Sequence, residues 1–575
     1  MTDAALLNQR FAADLIGALT GGGLRHLVAS PGARSAPLLI AAASCPALRV
    51  HMVLDERVAG FVALGLAKAT GRAVALLCTS GSAAAHYYPA VLEAEAAGVP
   101  LLVLSANRPP ELHGCGAPQT LDQTRLFGDH ARWFRSLGPA GPGLESALVG
   151  GVVAQALDAA EAAPGGVAHL DVAFREPLYS PDLPPCPATP RAIPRAARLH
   201  AGGEVAWNLA PFKDASRGVI VCGPQSGGLR DAASFGAAVE ALAEHLGWPI
   251  LAEPLGHARG SAAAVGPVEL LLRDDAFRAA QRPDVVLRFG GWPTSKPVGR
   301  WLASLDAPQV LVEPGGRLLD PSYRVAAILP LAPADACAAL QAALPPGPRP
   351  RVWQQRWRDA GARVEEVLRP LLADERPWEG SVARALAEAL PAAALLQVAS
   401  SMPVRDLDSF GARFAPGVVV SGNRGLNGID GTLATAWGAA LGWDGPTFVL
   451  SGDLAFLHDA GGLLAARGLG VSATVLVIQN GGGGIFERLP VGEHPNHEAL
   501  FVTPQTADLA ALCAAAGASH RRVETLSALR EALREAPAGL RVLEVPCPRP
   551  FNLAQHALAA ERAAALSLEV ACPPR

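Results

Sequence analysis

The sequence predicts an α/β protein made of successive parallel sheets wound on both faces by helices. Short apolar runs recur along the whole chain, each followed by a stretch of helical period, the alternation that builds βαβ units. Glycine and small polar residues crowd the C-terminal ends of those runs, where open parallel sheets bind ligands. At 575 residues and 50% hydrophobic composition the chain exceeds one core, and Pro-rich stretches at 181–194 and 345–350 divide it.

Composition narrows the function classes. A formal charge of −4 offers no positive field for nucleic acid or an acidic membrane surface. Nine cysteines are scattered without a C-x-x-C pair, which argues against zinc or a disulfide framework and for a reducing cytoplasm. No apolar run approaches the ~20 residues that cross a bilayer. Residues 1–11 read as an amphipathic helix start without the apolar core of a cleavable leader. Lysine is scarce, with Lys68, Lys213 and Lys296 standing among many arginines.

The first domain is expected over 1–180: a helix from about residue 6, strand 26–29, the loop Ser30-Pro31-Gly32-Ala33-Arg34-Ser35 and a second helix. Strand 49–53, helix 58–70, strand 73–78, a helix from residue 81 and strand 101–105 follow. Glu56 stands where a strand ends and a helix begins; taken alone, it is a solvated charge favoured by the helix dipole. A Pro-rich linker is expected at 181–198, then a central domain at 199–345 with strands near 218–222, 250–252, 285–289 and 310–312. Its segment 219–228 places a glycine-rich turn after a strand, but lacks the G-x-G-x-x-G spacing, and Pro224 removes a donor. It reads as a structural turn.

A linker and helix at 346–376 lead to the last domain, 377–575. It opens with strand 394–398, the loop 399–405, strand 418–420, the loop 421–431 and helix 432–441. Next comes a strand ending in Ser451-Gly452-Asp453-Leu454, a helix over 454–470, and strand 471–478 running into Gln479-Asn480-Gly481-Gly482-Gly483-Gly484. A helical tail follows residue 552. A right-handed βαβ crossover sets the two strand ends side by side, so Asp453 and Asn480 can share one ion. A carboxylate, an amide oxygen and a backbone carbonyl near Gly482 are hard donors suited to magnesium, and the glycines admit phosphate to backbone N–H groups.

This spacing resembles the thiamine-diphosphate signature, with Leu454 in place of its third glycine and Gln479 in place of its first asparagine. The wider pattern comprises the 30–38 loop, Asp55-Glu56-Arg57, Asn107-Arg108-Pro109-Pro110-Glu111-Leu112, Pro293-Thr294-Ser295-Lys296, Ser401-Met402-Pro403-Val404-Arg405 and the 423–431 loop. It resembles the 2-succinyl-5-enolpyruvyl-6-hydroxy-3-cyclohexene-1-carboxylate synthase family of the menaquinone pathway, over nearly the whole chain.

The resemblance implies three doubly wound domains of the pyruvate oxidase and acetolactate synthase architecture, with thiamine diphosphate and Mg2+ or Mn2+ as cofactors. It further implies 2-oxoglutarate and isochorismate as substrates, and active sites at the subunit interface of a homodimer or dimer of dimers. The first domain would bind the aminopyrimidine, with Glu56 on N1′, and Ile429 would wedge the cofactor rings into a bent shape. Gly452, Asp453, Leu454, Asn480, Gly482 and Ile485 would hold the diphosphate end, with Asp453, Asn480 and Gly482 on the metal. Arg34, Arg108, Lys296, Arg405 and Arg424 would contact substrate carboxylates, with Gln119 and Ser401 as hydrogen-bonding partners. Ile485, Phe486 and Leu489 would form an apolar wall. After decarboxylation the resulting enamine would add to isochorismate.

Three positions depart from the family: Ala33 stands for a serine, His86 for an asparagine, and Asn107 for an aspartate. His86 reads as a buried, satisfied histidine in preference to a proton-transfer group. Other readings stay open, namely another thiamine-diphosphate carboligase or decarboxylase of 2-oxo acids, and a non-catalytic cofactor-binding relative.

Overall fold

A computed structural model of the chain describes residues 2–141, 144–193, 195, 211–212, 215–347, 351–536 and 538–566. It contains three sheets whose paired strands all run parallel. The chain divides into two compact units, one of residues 1–203, 423–444 and 458–471, the other of 204–422, 445–457 and 472–575.

The first unit carries a sheet of β1 (His26–Ala29), β2 (Arg49–Met52), β3 (Val74–Cys78), β4 (Leu101–Asn107), β5 (Trp133–Leu137) and β6 (Val167–Ala173), in the order β2-β1-β3-β4-β6-β5. The wholly buried β3, β4 and β6 are covered on both faces, whereas β2 at the edge is half exposed. The sequence reading names no strand at β5 or β6. In β6 the apolar run is broken by His169 and Asp171, which fold inward because other side chains satisfy them: His169 meets Ser105 Oγ at 2.7 Å, and Asp171 accepts Gln123 Nε2 at 2.7 Å and Asn107 Nδ2 at 3.0 Å.

The helices Glu56–Thr70 and Thr432–Leu441 cross closely in this unit, since a Cβ on Gly65 would strike the Thr435 carbonyl and one on Gly438 the Val62 carbonyl. The Pro-rich residues 181–193 form neither helix nor strand but lie along the first helix, Thr2–Gly21. Gln9 Nε2 donates to the Pro184 carbonyl at 2.8 Å and Arg191 N to the Gly17 carbonyl at 2.8 Å. Residues 194 and 196–198 of the expected linker lie outside the described residues.

The second unit holds two sheets. One comprises β7 (Gly218–Cys222), β8 (Ile250–Ala252), β9 (Val285–Phe289), β10 (Gln309–Val312) and β11 (Val325–Leu329), ordered β11-β10-β9-β7-β8. The half-exposed edge strand β11 went unpredicted. After β7, Ser226 Oγ lies 2.6 Å from the Gly223 carbonyl and 3.0 Å from the Phe289 carbonyl, so the polar groups of the 219–228 turn are satisfied within the turn and by the end of β9. The other sheet comprises β12 (Leu395–Val398), β13 (Val419–Ser421), β14 (Thr447–Gly452), β15 (Ala473–Gln479), β16 (Ser519–Arg522) and β17 (Leu540–Pro546), ordered β13-β12-β14-β15-β17-β16.

The single helix expected over 454–470 is two, Asp453–His458 and Ala460–Leu469. At the break, buried Asp459 turns its carboxylate to the Ala434 N–H at 2.8 Å, and burial pushes its pKa up to about 7. Among the described residues no helix is long and apolar enough to cross a membrane.

Candidate active site

In the second unit β14 and β15 are adjacent and in register, with Gly452 opposite Ile478, so Asp453 and Asn480 leave the sheet almost level. Asp453 Oδ2 accepts Gly481 N at 2.8 Å and Gly482 N at 3.0 Å, while Oδ1 accepts Leu454 N at 2.7 Å. Gly482 N also reaches Asn480 Oδ1 at 3.2 Å, so one N–H gathers the carboxylate and the amide oxygen to the same point. Burial raises the Asp453 pKa against the pull of those backbone N–H groups. A cation would offset that desolvation. The Gly482 carbonyl accepts Gly484 N at 2.9 Å and keeps a second lone pair.

This donor set fits a hard divalent ion with diphosphate oxygens completing it. The surroundings suit phosphate as well, because a Cβ at Gly452 or Gly481 would meet nothing within 4 Å, and Gly481 holds φ +81°. Leu454 is half-buried in the first turn of the following helix. Ile485, Phe486 and Leu489 are half-buried around a 3₁₀ turn, with the Phe486 ring 5.7 Å from that of Phe501.

Behind Asn480 lies a buried cluster that the sequence reading missed. Asn480 Nδ2 donates to Glu379 Oε1 at 2.8 Å. Glu379, Asp406 and His556 place three potential ligand atoms within 4.8 Å of one another. His556 Nε2 lies 3.4 Å from Glu379 Oε2 and 3.3 Å from Asp406 Oδ1, and burial beside Glu379 raises the Asp406 pKa well above the carboxylate range. Glu379 heads the helix Glu379–Ala389, where an acidic residue suits the dipole, and nothing in the sequence set it apart from a solvated cap.

In the first unit Glu56 begins the helix Glu56–Thr70, capped by Asp55 through Arg57 N at 2.9 Å. Glu56 is half-buried. The 423–431 loop, which carries half-buried Ile429, is tied down from afar. Buried Glu93 accepts Gly425 N at 2.9 Å and Leu426 N at 2.7 Å, and Lys68 Nζ donates to Asn423 Oδ1 at 3.0 Å. Lys68 lies 3.9 Å from Glu93, and burial lowers its pKa. Arg424 is half-buried in the same loop.

The predicted anion contacts fall into groups. Arg34 is 4% exposed and donates to the Phe174 carbonyl at 2.9 Å and to Glu176 Oε1 at 2.7 Å, while its buried Nε has no partner among the described residues. Arg108 Nη1 donates to Ser80 Oγ and to the Gln119 carbonyl, and burial followed by the charge of Arg34 lowers its pKa. Gln119 is exposed at φ +52° and donates from Nε2 to the Ser80 carbonyl at 3.1 Å. Arg108 and Gln119 thus both bind Ser80, and Arg34 donates its backbone N–H to the adjacent Thr79 Oγ1.

In the second unit Ser401, at φ +72°, caps the helix Met402–Phe410, and its carbonyl accepts Arg405 Nη1. Burial lowers the Arg405 pKa, with Glu253 among the neighbouring charges. Lys296 is exposed at the first position of the helix Lys296–Ala303, while nearby Thr294 N donates to Glu253 Oε2 at 2.7 Å.

One expectation is corrected. His86 is exposed, not buried, because the segment after β3 starts as a 3₁₀ turn that points Tyr87 rather than His86 into the core. Asn107 is structural: its amide N–H2 donates to Asp171, where an aspartate would face a second carboxylate. Ala33 offers no hydroxyl, and the neighbouring Ser35 Oγ turns back to the Gly32 carbonyl at 3.0 Å.

Three family models match in order: the N-terminal thiamine pyrophosphate binding domain over 9–126, the middle domain over 206–398 and the C-terminal thiamine pyrophosphate binding domain over 409–545. With the Asp453–Asn480 donor set, these matches define a thiamine-diphosphate enzyme of three α/β domains. Among curated proteins, the chain is 40% identical to a 2-succinyl-5-enolpyruvyl-6-hydroxy-3-cyclohexene-1-carboxylate synthase of Myxococcus xanthus over 97% of each chain. It is 41% identical to that of Chloroflexus aurantiacus over 94% of this chain and 93% of the relative, and 38% to that of Geobacillus kaustophilus over 95% and 96%. The chain belongs to this synthase family, which disfavours the reading as another carboligase.

Proposed function

We propose that this chain is the transferase that decarboxylates 2-oxoglutarate and adds the remaining four-carbon unit to isochorismate. The products are 2-succinyl-5-enolpyruvyl-6-hydroxy-3-cyclohexene-1-carboxylate and carbon dioxide, in menaquinone biosynthesis. The observation that carries this reading is the convergence of Asp453 and Asn480 on Gly482 N–H at the ends of β14 and β15, in a chain of this family.

Thiamine diphosphate, when bound, supplies the electron sink that lets a 2-oxo acid lose carbon dioxide and makes its carbonyl carbon a nucleophile. Asp453, Asn480 and the Gly482 carbonyl would hold magnesium or manganese, whose charge offsets that of the diphosphate. Gly452, Leu454 and Ile485 would border that end of the cofactor. Glu56 would hold a proton at the aminopyrimidine N1′, and Ile429 would pack against the cofactor from its clamped loop. Arg34 and Arg108 are close enough for one charge to act on the other, an arrangement suited to a bound carboxylate. Gln119, Lys296, Ser401, Arg405 and Arg424 complete the recognition of two dicarboxylates, and Phe486 and Leu489 keep water from the reacting carbon. The active unit is a homodimer or a dimer of dimers, in which the partner completes the burial of Glu56.

The test is carbon dioxide release from 2-oxoglutarate by purified protein with thiamine diphosphate and magnesium, with and without isochorismate. Release coupled to formation of the cyclohexene product is expected. Turnover indifferent to isochorismate, or faster with pyruvate, would sink the assignment.

A further inference from the structure

The metal-binding reading leaves open what decides which end of the Asn480 carboxamide faces the ion. A carboxamide has an acceptor end and a donor end of nearly equal size, and only its neighbours choose between them. On one side of Asn480 stands Gly482 N–H, a donor that can meet only the oxygen, at 3.2 Å. On the other stands Glu379 Oε1, which takes the N–H2 group at 2.8 Å.

Glu379 is itself set by groups of fixed polarity. Its backbone N–H donates to Asn552 Oδ1 at 2.9 Å, which turns Asn552 so that Nδ2 donates to the Cys547 carbonyl at 2.8 Å and to Glu379 Oε1 at 3.1 Å. Cys547 N in turn donates to the Gln479 carbonyl at 2.8 Å, next to Asn480. Two backbone groups thus fix Asn552 as a donor to Glu379 Oε1, and the carboxylate, an acceptor at either oxygen, also takes the Asn480 N–H2 group. Glu379 is 4% exposed and Asn552 also 4% exposed, so water does not scramble the order.

We propose that Glu379 is a positioning residue of the metal site: as a buried acceptor it turns the Asn480 amide oxygen toward Asp453. This rests on the reading of Asn480 as a metal ligand. Outer partners of metal ligands typically govern affinity by about 10- to 100-fold.

The test reverses the polarity of the pair with side chains of unchanged shape. The magnesium concentration at half-saturation of thiamine diphosphate binding to the metal-free protein is followed by tryptophan fluorescence, with melting temperature as a control for folding. Asn480→Asp sets a carboxylate against Glu379 and is expected to weaken magnesium by about 10-fold or more, as outer-partner changes do. Asn552→Ala is carried in every compared protein, because its Nδ2 otherwise donates to the same Glu379 oxygen; in Glu379→Gln with Asn480→Asp the glutamine N–H2 can then serve the new carboxylate, and affinity is expected to return to within about 3-fold of that background, a small part of that range. A double variant no tighter than Asn480→Asp alone, or an Asn480→Asp protein as tight as the background, overturns the proposal. Asn480→Ala separates the two readings: if it leaves the magnesium requirement unchanged, Asn480 is no ligand and the metal-site reading fails first.

Discussion

The two loops proposed to hold the cofactor are themselves held in opposite ways. In the second unit the turn after β15 is fixed by its neighbour in the sheet, Asp453 accepting the N–H groups of Gly481 and Gly482 from the adjacent strand end. In the first unit the 423–431 loop is fixed by Glu93, which lies on the helix Tyr88–Ala97, 332 positions earlier than Gly425. The first arrangement makes the anchor and the proposed ligand one residue. The second separates them, so that anchoring and chemistry can be perturbed independently.

The largest effect is expected where the two roles coincide. Asp453→Ala removes a proposed metal ligand together with the acceptor of three backbone N–H groups, those of Leu454, Gly481 and Gly482. Since loss of an outer partner already costs about 10- to 100-fold, magnesium-dependent cofactor binding should weaken by more than ~100-fold by calorimetric titration. Retained affinity would separate anchor from ligand here too and break the comparison.

Glu56→Gln probes chemistry without anchoring, because Glu56 stands on a helix capped by Asp55 rather than by itself. The variant should bind thiamine diphosphate and magnesium like the parent but lose about 100-fold or more in turnover, the usual worth of an acid–base group. Near-normal turnover would remove Glu56 from the mechanism and reopen the non-catalytic reading.

Glu93→Ala probes anchoring without chemistry. It leaves two backbone N–H groups and buried Lys68 without their carboxylate. Hydrogen bonds to a charged group are worth about 1.5–3 kcal/mol, so a loss of roughly 3 kcal/mol is expected in denaturant unfolding, with the magnesium affinity at Asp453 unchanged. Unaltered stability would mean that the loop holds its shape without the clamp.

The same contrast explains what the sequence disclosed. Asp453 and Asn480 were legible because they end two consecutive strands of one crossover, so spacing alone implied that they lie side by side. Glu93 and Glu379 were not, because a buried carboxylate serving a distant backbone or amide looks like any charge on a helix until the fold brings its partner. His86 was misplaced for a related reason: in an Ala-rich segment the difference between an α-turn and a 3₁₀ turn decides which of two neighbouring residues faces inward. β6 escaped notice because His169 and Asp171 are paid for by side chains from β4 and β5 that no local window contains.

The smallest effect sharpens the comparison at the level of single glycines. At Gly425 a Cβ would lie 2.9 Å from both the carbonyl oxygen and a carboxylate oxygen of Glu93, so Gly425→Ala pushes directly on the clamp and should cost about 1–3 kcal/mol, as overpacking does. At Gly481 the added Cβ meets nothing within 4 Å, and only the φ of +81° resists it. Gly481→Ala should therefore cost about 1 kcal/mol in denaturant unfolding, the strain of a left-handed backbone, while the N–H still reaches Asp453 and magnesium affinity holds. A larger loss at Gly481 than at Gly425 would reverse the assignment: the strand-end turn would depend on glycine for more than its backbone angle, and the distant clamp would be the more forgiving of the two.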